Sequence, residues 1–301
     1  MADSAPALSP FDDLNAPQRA AATYGDAGPD GVQAGPLLII AGAGTGKTMT
    51  LAHRVAHLVL EGTDPERLLL LTFSRRAARE MTGRARRIVA RALAARSGRP
   101  EGDVRLPWAG TFHAMANRLL RDYAPNLGLD PSFSVLDRGD AADLMDVVRH
   151  RLDYSATRRR FPRKDTCLAI YSRTVNSRRA LGEVLETAWP WCLDWETELR
   201  TLFRSYAEAK LTSAALDYDD MLLYWCHLMS EPELAAAVAA RFDQVLVDEY
   251  QDTNVLQAEI LKALSPDGTG VTVVGDDAQS IYAFRAAEVE NILGFPARYE
   301  P

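Results

Sequence analysis

Leu37-Leu38-Ile39-Ile40-Ala41-Gly42-Ala43-Gly44-Thr45-Gly46-Lys47-Thr48 is the stretch on which the fold turns. Its four apolar residues are too few for a core helix and suit a buried parallel strand. The glycines that follow let backbone N–H groups curl around an anion without Cβ clashes. Leu51, Val55, Leu58 and Val59 then fall at i, i+4, i+7 and i+8, one face of a helix. Strand, glycine-rich turn and helix in that order make a phosphate-binding loop, and the helix start adds positive dipole. Lys47 is placed to reach the β- and γ-phosphates of ATP, and the Thr48 hydroxyl to hold Mg²⁺. The strict pattern opens on glycine, where this chain has Ala41. A chance glycine turn would not explain the strand, the helix and Gly-Lys-Thr together.

The same grammar recurs outward. Leu68-Leu69-Leu70-Leu71 reads as a second buried strand, followed by a helix with Ala78, Met81, Ala85, Ile88 and Leu93 on one face. Val245-Leu246-Val247 and Val271-Thr272-Val273-Val274 are two more strands, with strand signal resuming at Gln244. Alternating strand and helix imply an α/β fold with a parallel sheet. Between Phe112 and Leu216 the pattern is helical with almost no strand signal. The expected organisation is therefore an α/β domain over residues 1–111 and 216–301, interrupted by an all-helical insert over 112–215. Trp189, Trp191 and Trp195 are expected to pack that insert. The basic run at 158–164 is either a solvated face or a phosphate-attracting patch.

Across 301 residues the net charge is −7, so any nucleic-acid contact must be local rather than a property of the average. The three cysteines, Cys167, Cys192 and Cys226, form no CxxC pair. A zinc site or disulfide framework is not expected, and a reducing cytoplasm fits. The start lacks the basic and apolar regions of a signal peptide, and no stretch is long and apolar enough for a membrane span.

A second acidic element, Val245-Leu246-Val247-Asp248-Glu249-Tyr250-Gln251-Asp252, ends an apolar strand. Two adjacent carboxylates there suit different tasks. Asp248 can hold Mg²⁺, and Glu249 can orient and deprotonate an attacking water. The alternative is a solvated acidic loop, which the phosphate-binding loop elsewhere in the chain argues against.

With these segments the sequence resembles the UvrD/Rep/PcrA family of superfamily 1 DNA helicases. Leu14-Asn15-Ala16-Pro17-Gln18 looks like the family's Q motif, and residues 41–48 look like motif I. Residues 72–81 look like motif Ia, and Gly110-Thr111-Phe112-His113 like motif Ib. Asp217-Tyr218-Asp219-Asp220 resembles a short acidic motif, residues 248–254 look like motif II and residues 274–285 like motif III. The resemblance implies a RecA-like ATP-binding domain with a helical insert, hydrolysing ATP with Mg²⁺ to move along single-stranded DNA, usually 3′ to 5′. It implies that Gln18 reads adenine, that Ala41, Gly42, Ala43, Gly44, Thr45, Gly46, Lys47 and Thr48 cradle the triphosphate, and that Gln279 senses the γ-phosphate. It places Lys47, Asp248, Glu249 and Gln279 in catalysis, with Thr48 and Asp248 on the metal. Thr72, Phe73, Arg75, Thr111, His113, Tyr282, Phe284 and Arg285 would meet DNA. Aromatic stacking suits a motor blind to sequence, because every base has a π-face, each stack contributing about 1–3 kcal/mol. For Phe73, Tyr282 and Phe284 the lesser alternative is packing in the core.

Several positions depart from the family's usual forms. Arg75-Arg76 stands where Asn-Lys is common, Met49 where an arginine usually follows Gly-Lys-Thr, and Ala278 and Ala286 where an acidic residue and a glycine are usual. The family's next motif contains Asn-Tyr-Arg and is followed by a second RecA-like domain. Neither occurs in these residues, so the arginine fingers implied by the resemblance must come from a C-terminal half or partner subunit. The expected partners are single-stranded DNA, single-strand/duplex junctions and that second half, with no membrane. A bacterial cytoplasmic setting is expected, on the nucleoid when DNA-bound. Two alternatives stay open: a non-catalytic ATP- and DNA-binding module, or the front of a RecB/AddA-like helicase-nuclease subunit.

Overall fold

The computed structural model describes residues 10–29, 31–97, 104–155, 160–276 and 292–299. The chain divides into two compact units: residues 1–115, 231–253 and 260–301 in one, and 116–230 with 254–259 in the other.

In the first unit, α1 (Ala16–Ala22) leads to a hairpin of β1 (Asp26–Gly28) and β2 (Gly31–Gln33). There follow β3 (Leu37–Ile40), α2 (Lys47–Leu60), β4 (Leu68–Thr72), α3 (Arg75–Ser97), β5 (Ala109–Thr111) and the start of α4 (Phe112–Asp122). In the helical unit lie β6 (Ser134–Val135), α5 (Arg138–Arg151), α6 (Lys164–Ser177), α7 (Leu181–Ala188), α8 (Glu196–Thr212), β7 (Ala215–Leu216) and α9 (Tyr218–Leu228). The chain returns to the first unit through α10 (Pro232–Ala239) and β8 (Gln244–Val247). The remaining helices and strands among the described residues are α11 (Val255–Leu264), whose first five residues count with the helical unit, β9 (Val271–Gly275) and α12 (Phe295–Tyr299).

Five strands form one parallel sheet in the order β3-β9-β8-β4-β5. Strands distant in sequence thus lie between β3 and β4, and the carboxyl ends of all five open on one edge. Parallel sheets bind ligands at that edge. The strands β4, β8 and β9 are buried throughout, as their unbroken apolar runs require. Strand β3 differs from the fully buried strand expected. It is at the end of the sheet, half-buried, with Ile40 50% exposed. The helix faces read from periodicity do line the core: Leu51, Val55, Leu58, Met81 and Ala85 pack with Leu68, Leu70, Leu246 and Val274.

The helical unit has its own core, built on Met145, Cys167, Ile170, Leu185, Cys192, Leu199, Leu202 and Tyr206. All three cysteines are free and buried. Trp189 and Trp195 pack against this core, whereas Trp191 is 57% exposed and does not. Within the basic run, Phe161 is buried against Tyr154 and Trp195, and Lys164 pairs with Asp143, so those two positions serve packing and a surface ion pair. Arg158 and Arg159 lie outside the described residues.

The sheet domain was expected to resume at residue 216. Instead Leu216 pairs with Val135, and α9 stays in the helical unit. The cause is a buried charge cluster. Lys210 lies 2.7 Å from Asp217 and 2.6 Å from Asp220, and the Tyr206 hydroxyl donates to Asp217 at 2.8 Å. A buried cation and its carboxylates must stay together, because separation would strand charge in a low dielectric. Asp217 also caps α9 by accepting from the Asp220 amide.

Candidate functional site

The loop after β3 carries the first part of the site. Gly44 and Gly46 take positive φ, and Gly46 forms the N-cap of α2. At Gly46 a Cβ would also lie 2.9 Å from the Gln18 amide nitrogen, so two independent constraints favour glycine there. Gln18 Nε2 donates to the Thr45 carbonyl at 2.9 Å, and Gln18 Oε1 accepts the Asn15 N–H, closing a capping box on α1. The amide keeps one N–H and one lone pair for a further partner. The Thr45 hydroxyl donates to the Gly42 carbonyl at 2.6 Å. Ala41, at the place of the first glycine, keeps the strand pairing through its N–H to the Gly275 carbonyl at 3.1 Å. Ala43 is exposed on the loop and Thr48 is half-buried.

Neighbouring strands supply the acids. Lys47 is buried, with its ammonium 3.1 Å from Asp276 and 3.5 Å from Glu249. Gln251 holds these groups in register: Nε2 donates to Glu249 at 2.6 Å, and Oε1 accepts the Asp276 N–H at 3.1 Å. The sequence reading gave no role to Gln251 or Asp276. The signal was present, since both lie inside the acidic and Val-Gly-Asp segments. Glu249 has φ of +51°, a left-handed conformation unusual for a residue with a Cβ. Such conformations cost on the order of 1–3 kcal/mol and persist where surrounding contacts fix them.

Asp248 is 3% exposed, and its Oδ1 has no hydrogen-bond partner. Burial, reinforced by the charge of Glu249, pushes its carboxyl up to about 6, against the opposing pull of Lys47. A buried carboxylate oxygen without a donor has the chemistry of a ligand for a hard divalent cation, as does the hydroxyl of Thr48 in the first turn of α2. Among the described residues no cluster of three or more His, Cys, Asp or Glu could hold a metal.

The second row of candidates sits at the ends of β4 and β5, where Thr72 and Thr111 are register partners. Thr72 does not present itself to a ligand: it is 1% exposed, and its hydroxyl donates to the Ser74 carbonyl. It braces the turn that sets Phe73 and Arg75. Phe73 is half-buried, with its ring 5.8 Å from Phe112, and Arg75 is exposed. Thr111 Oγ1 accepts the Ala114 N–H, and burial holds His113 below the usual imidazole range. A Cβ at Gly110 would meet Met115 Cε at 2.7 Å, the mobile end of a flexible side chain that can shift. Gln279, Tyr282, Phe284 and Arg285 lie outside the described residues.

A cavity of about 450 Å³ opens beside Met49 and His53 of α2 and Arg84, Arg87 and Arg91 of α3. These arginines were not singled out from sequence, although their i, i+3, i+7 spacing puts them on one helix face. Among the described residues no helix is long and apolar enough to cross a membrane.

Residues 26–300 match the UvrD/REP helicase N-terminal domain. The chain is 33% identical over 270 residues to the ATP-dependent DNA helicase PcrA of Staphylococcus aureus, covering 88% of this chain and 34% of that protein. It is 36% identical over 267 residues to the ATP-dependent DNA helicase PcrA of Leuconostoc citreum, with the same two coverages. It thus spans about a third of the length of these relatives. The parallel sheet, the loop before α2 and a match over nearly the whole chain agree, and the chain belongs to the UvrD/REP helicase family as its N-terminal domain.

Proposed function

We propose that these residues form the Mg²⁺-ATP site of a DNA-stimulated ATPase that moves along single-stranded DNA, 3′ to 5′, and unwinds duplex during repair or replication. The observation that carries the reading is the convergence of Lys47, Asp248, Glu249 and Asp276 on the edge that also bears the glycine loop. In this reading Lys47 leaves its two carboxylates for the β- and γ-phosphates. Glu249, held by Gln251, orients the attacking water and receives its proton at Oε2. Thr48 and Asp248 would hold Mg²⁺, which would supply charge neutralisation at the phosphates when bound. Gln18 offers its spare donor and acceptor to adenine. Arg84, Arg87 and Arg91 bring guanidinium groups to the cavity beside Met49, where the family usually has an arginine. Phe73, Arg75, Thr111 and His113 meet the DNA strand in this reading, as Tyr282, Phe284 and Arg285 do in their family roles, and Gln279 senses the γ-phosphate.

The 301 residues contain no Asn-Tyr-Arg segment. Arginine fingers contribute about 10³–10⁵ in rate in phosphoryl transfer. We therefore expect the 301-residue chain, assayed alone, to bind Mg²⁺-ATP yet hydrolyse it near background, and to hydrolyse it faster with a matching C-terminal half. The test is ATP turnover with and without a single-stranded oligonucleotide, alone and complemented, beside Glu249→Gln. Absence of nucleotide binding would overturn the site, and vigorous turnover by the chain alone would overturn the need for a second half.

A further inference from the structure

Arg54 lies in α2, seven residues after Lys47, and is fully buried at 0% exposure. Burial lowers its pKa to about 10, so it remains a cation at neutral pH. Its Nη1 donates to the Tyr24 carbonyl and, at 3.5 Å, to the Ala22 carbonyl, while Nε and Nη2 have no partner. An arginine buried this deeply with two unmatched nitrogens is costly, and packing alone would favour an apolar side chain. What it touches indicates what it does. Ala22 and Tyr24 flank the C-cap of α1, where orphaned carbonyls and the helix dipole both favour a cation.

Helix α1 has seven residues, too few to persist without tertiary support. It is tied to the phosphate loop at two places. At its start Gln18 donates to Thr45, and at its end Arg54 holds Ala22 and Tyr24. Both ties come from the same loop-and-helix segment, nine positions apart. With one end released, α1 can pivot and carry Gln18 away from the loop. We propose that Arg54 is a positioning residue for base selection: through α1 it fixes the spare donor and acceptor of the Gln18 amide where a purine edge is read. This rests on the proposed nucleotide site. A carboxamide aligned in this way matches the donor–acceptor pair of adenine and mismatches that of guanine.

The test uses the full chain and measures affinity by calorimetry for Mg²⁺-ATP, Mg²⁺-GTP and inorganic triphosphate. Wild-type chain is expected to prefer ATP over GTP by about tenfold, the size of one well-formed amide–base pairing. Arg54→Met should bring that preference to within about twofold of its value in Gln18→Ala, while triphosphate affinity stays within about twofold. The double variant should discriminate no worse than Gln18→Ala, since both act through one amide. Arg54→Lys, which keeps the charge on a shorter side chain that reaches the two carbonyls less well than Nη1 does, should fall between. If Arg54→Met fails to fold in a thermal melt, Arg54→Lys decides: a reduced preference supports the role, and a full preference overturns it. Parallel loss of ATP and triphosphate affinity in Arg54→Lys or a folded Arg54→Met would mean a merely structural role and overturn the proposal. A wild-type chain that binds no triphosphate would instead sink the nucleotide site. One that binds ATP and GTP equally would remove base reading by Gln18, and the role of Arg54 with it.

Discussion

Lys47 and Glu249 sit within one ion-pair cluster but should separate cleanly under substitution. Lys47→Ala removes the cation proposed to meet phosphate, and nucleotide affinity should fall at least about tenfold, the loss of one charge-assisted contact. Glu249→Gln keeps shape and hydrogen bonding but cannot take a proton. Turnover in the complemented enzyme should drop about 10²–10⁴-fold, with affinity held within about twofold. Equal loss of binding in both variants would contradict these assignments. The DNA candidates can be sorted by salt. Arg75 is exposed and charged, whereas His113 is kept neutral at pH 7 by burial. Arg75→Ala should therefore lower the slope of log affinity against log salt by about 0.7, the value for one single-strand phosphate contact. His113→Gln should leave the slope unchanged. A change of slope in His113→Gln alone would reverse the two roles.

Among the elements, the junction of α8, β7 and α9 holds the most concentrated buried charge described in the helical unit. Lys210 is 1% exposed between Asp217 and Asp220, with its ammonium over the rings of Tyr171 and Tyr206. Lys210→Met leaves two carboxylates buried without their cation and should destabilise the chain by about 3–5 kcal/mol in urea unfolding. A loss below about 1 kcal/mol would mean the cluster relaxes to water. Asp220 shows the same environment through pH. Despite Lys210 beside it, burial and the neighbouring charge of Asp217 push its carboxyl up to about 6 from an ordinary 3.8. The folded chain then holds that proton more tightly than the unfolded chain. The Asp220 contribution to stability should fall as pH rises between 3.8 and about 6, then level off. The difference in unfolding free energy between wild type and Asp220→Asn, measured from pH 4 to 7, should carry that slope. A flat difference would show that Lys210 offsets the burial in full.

At the level of the entire chain, two units with separate cores imply that ligand effects can be local. Calorimetric unfolding should show two transitions, and Mg²⁺-ATP at a hundred times its Kd should stabilise the one belonging to the sheet unit by about 2.7 kcal/mol. Lys47→Ala should lose that shift. A single transition raised as a whole would mean the units unfold as one.

Much of this was readable along the chain. The loop at 41–48, the strands at 68–71, 245–247 and 271–274 and the helix faces after them are local patterns, set by residues within two turns or one strand of each other. The family motifs are likewise contiguous, so the family could be recognised before any contact was known. Other features had no local signature. The three-residue β5 and the two-residue β6 and β7 are too short to show a period, and they form because a neighbouring strand supplies hydrogen bonds. Lys47 meets Asp276 across 229 positions because parallel pairing brings β3 beside β9 and aligns their carboxyl ends. Arg54 reads as one more charged helix residue until α1 covers it. The DYDD segment follows a strand-like pair, yet Lys210 keeps it with the helices. Residue type and short-range spacing fix which chemistry is available, because they depend only on covalent neighbours. Sheet order and burial decide which groups meet and at what electrostatic cost, because those depend on segments the chain brings together only when it folds.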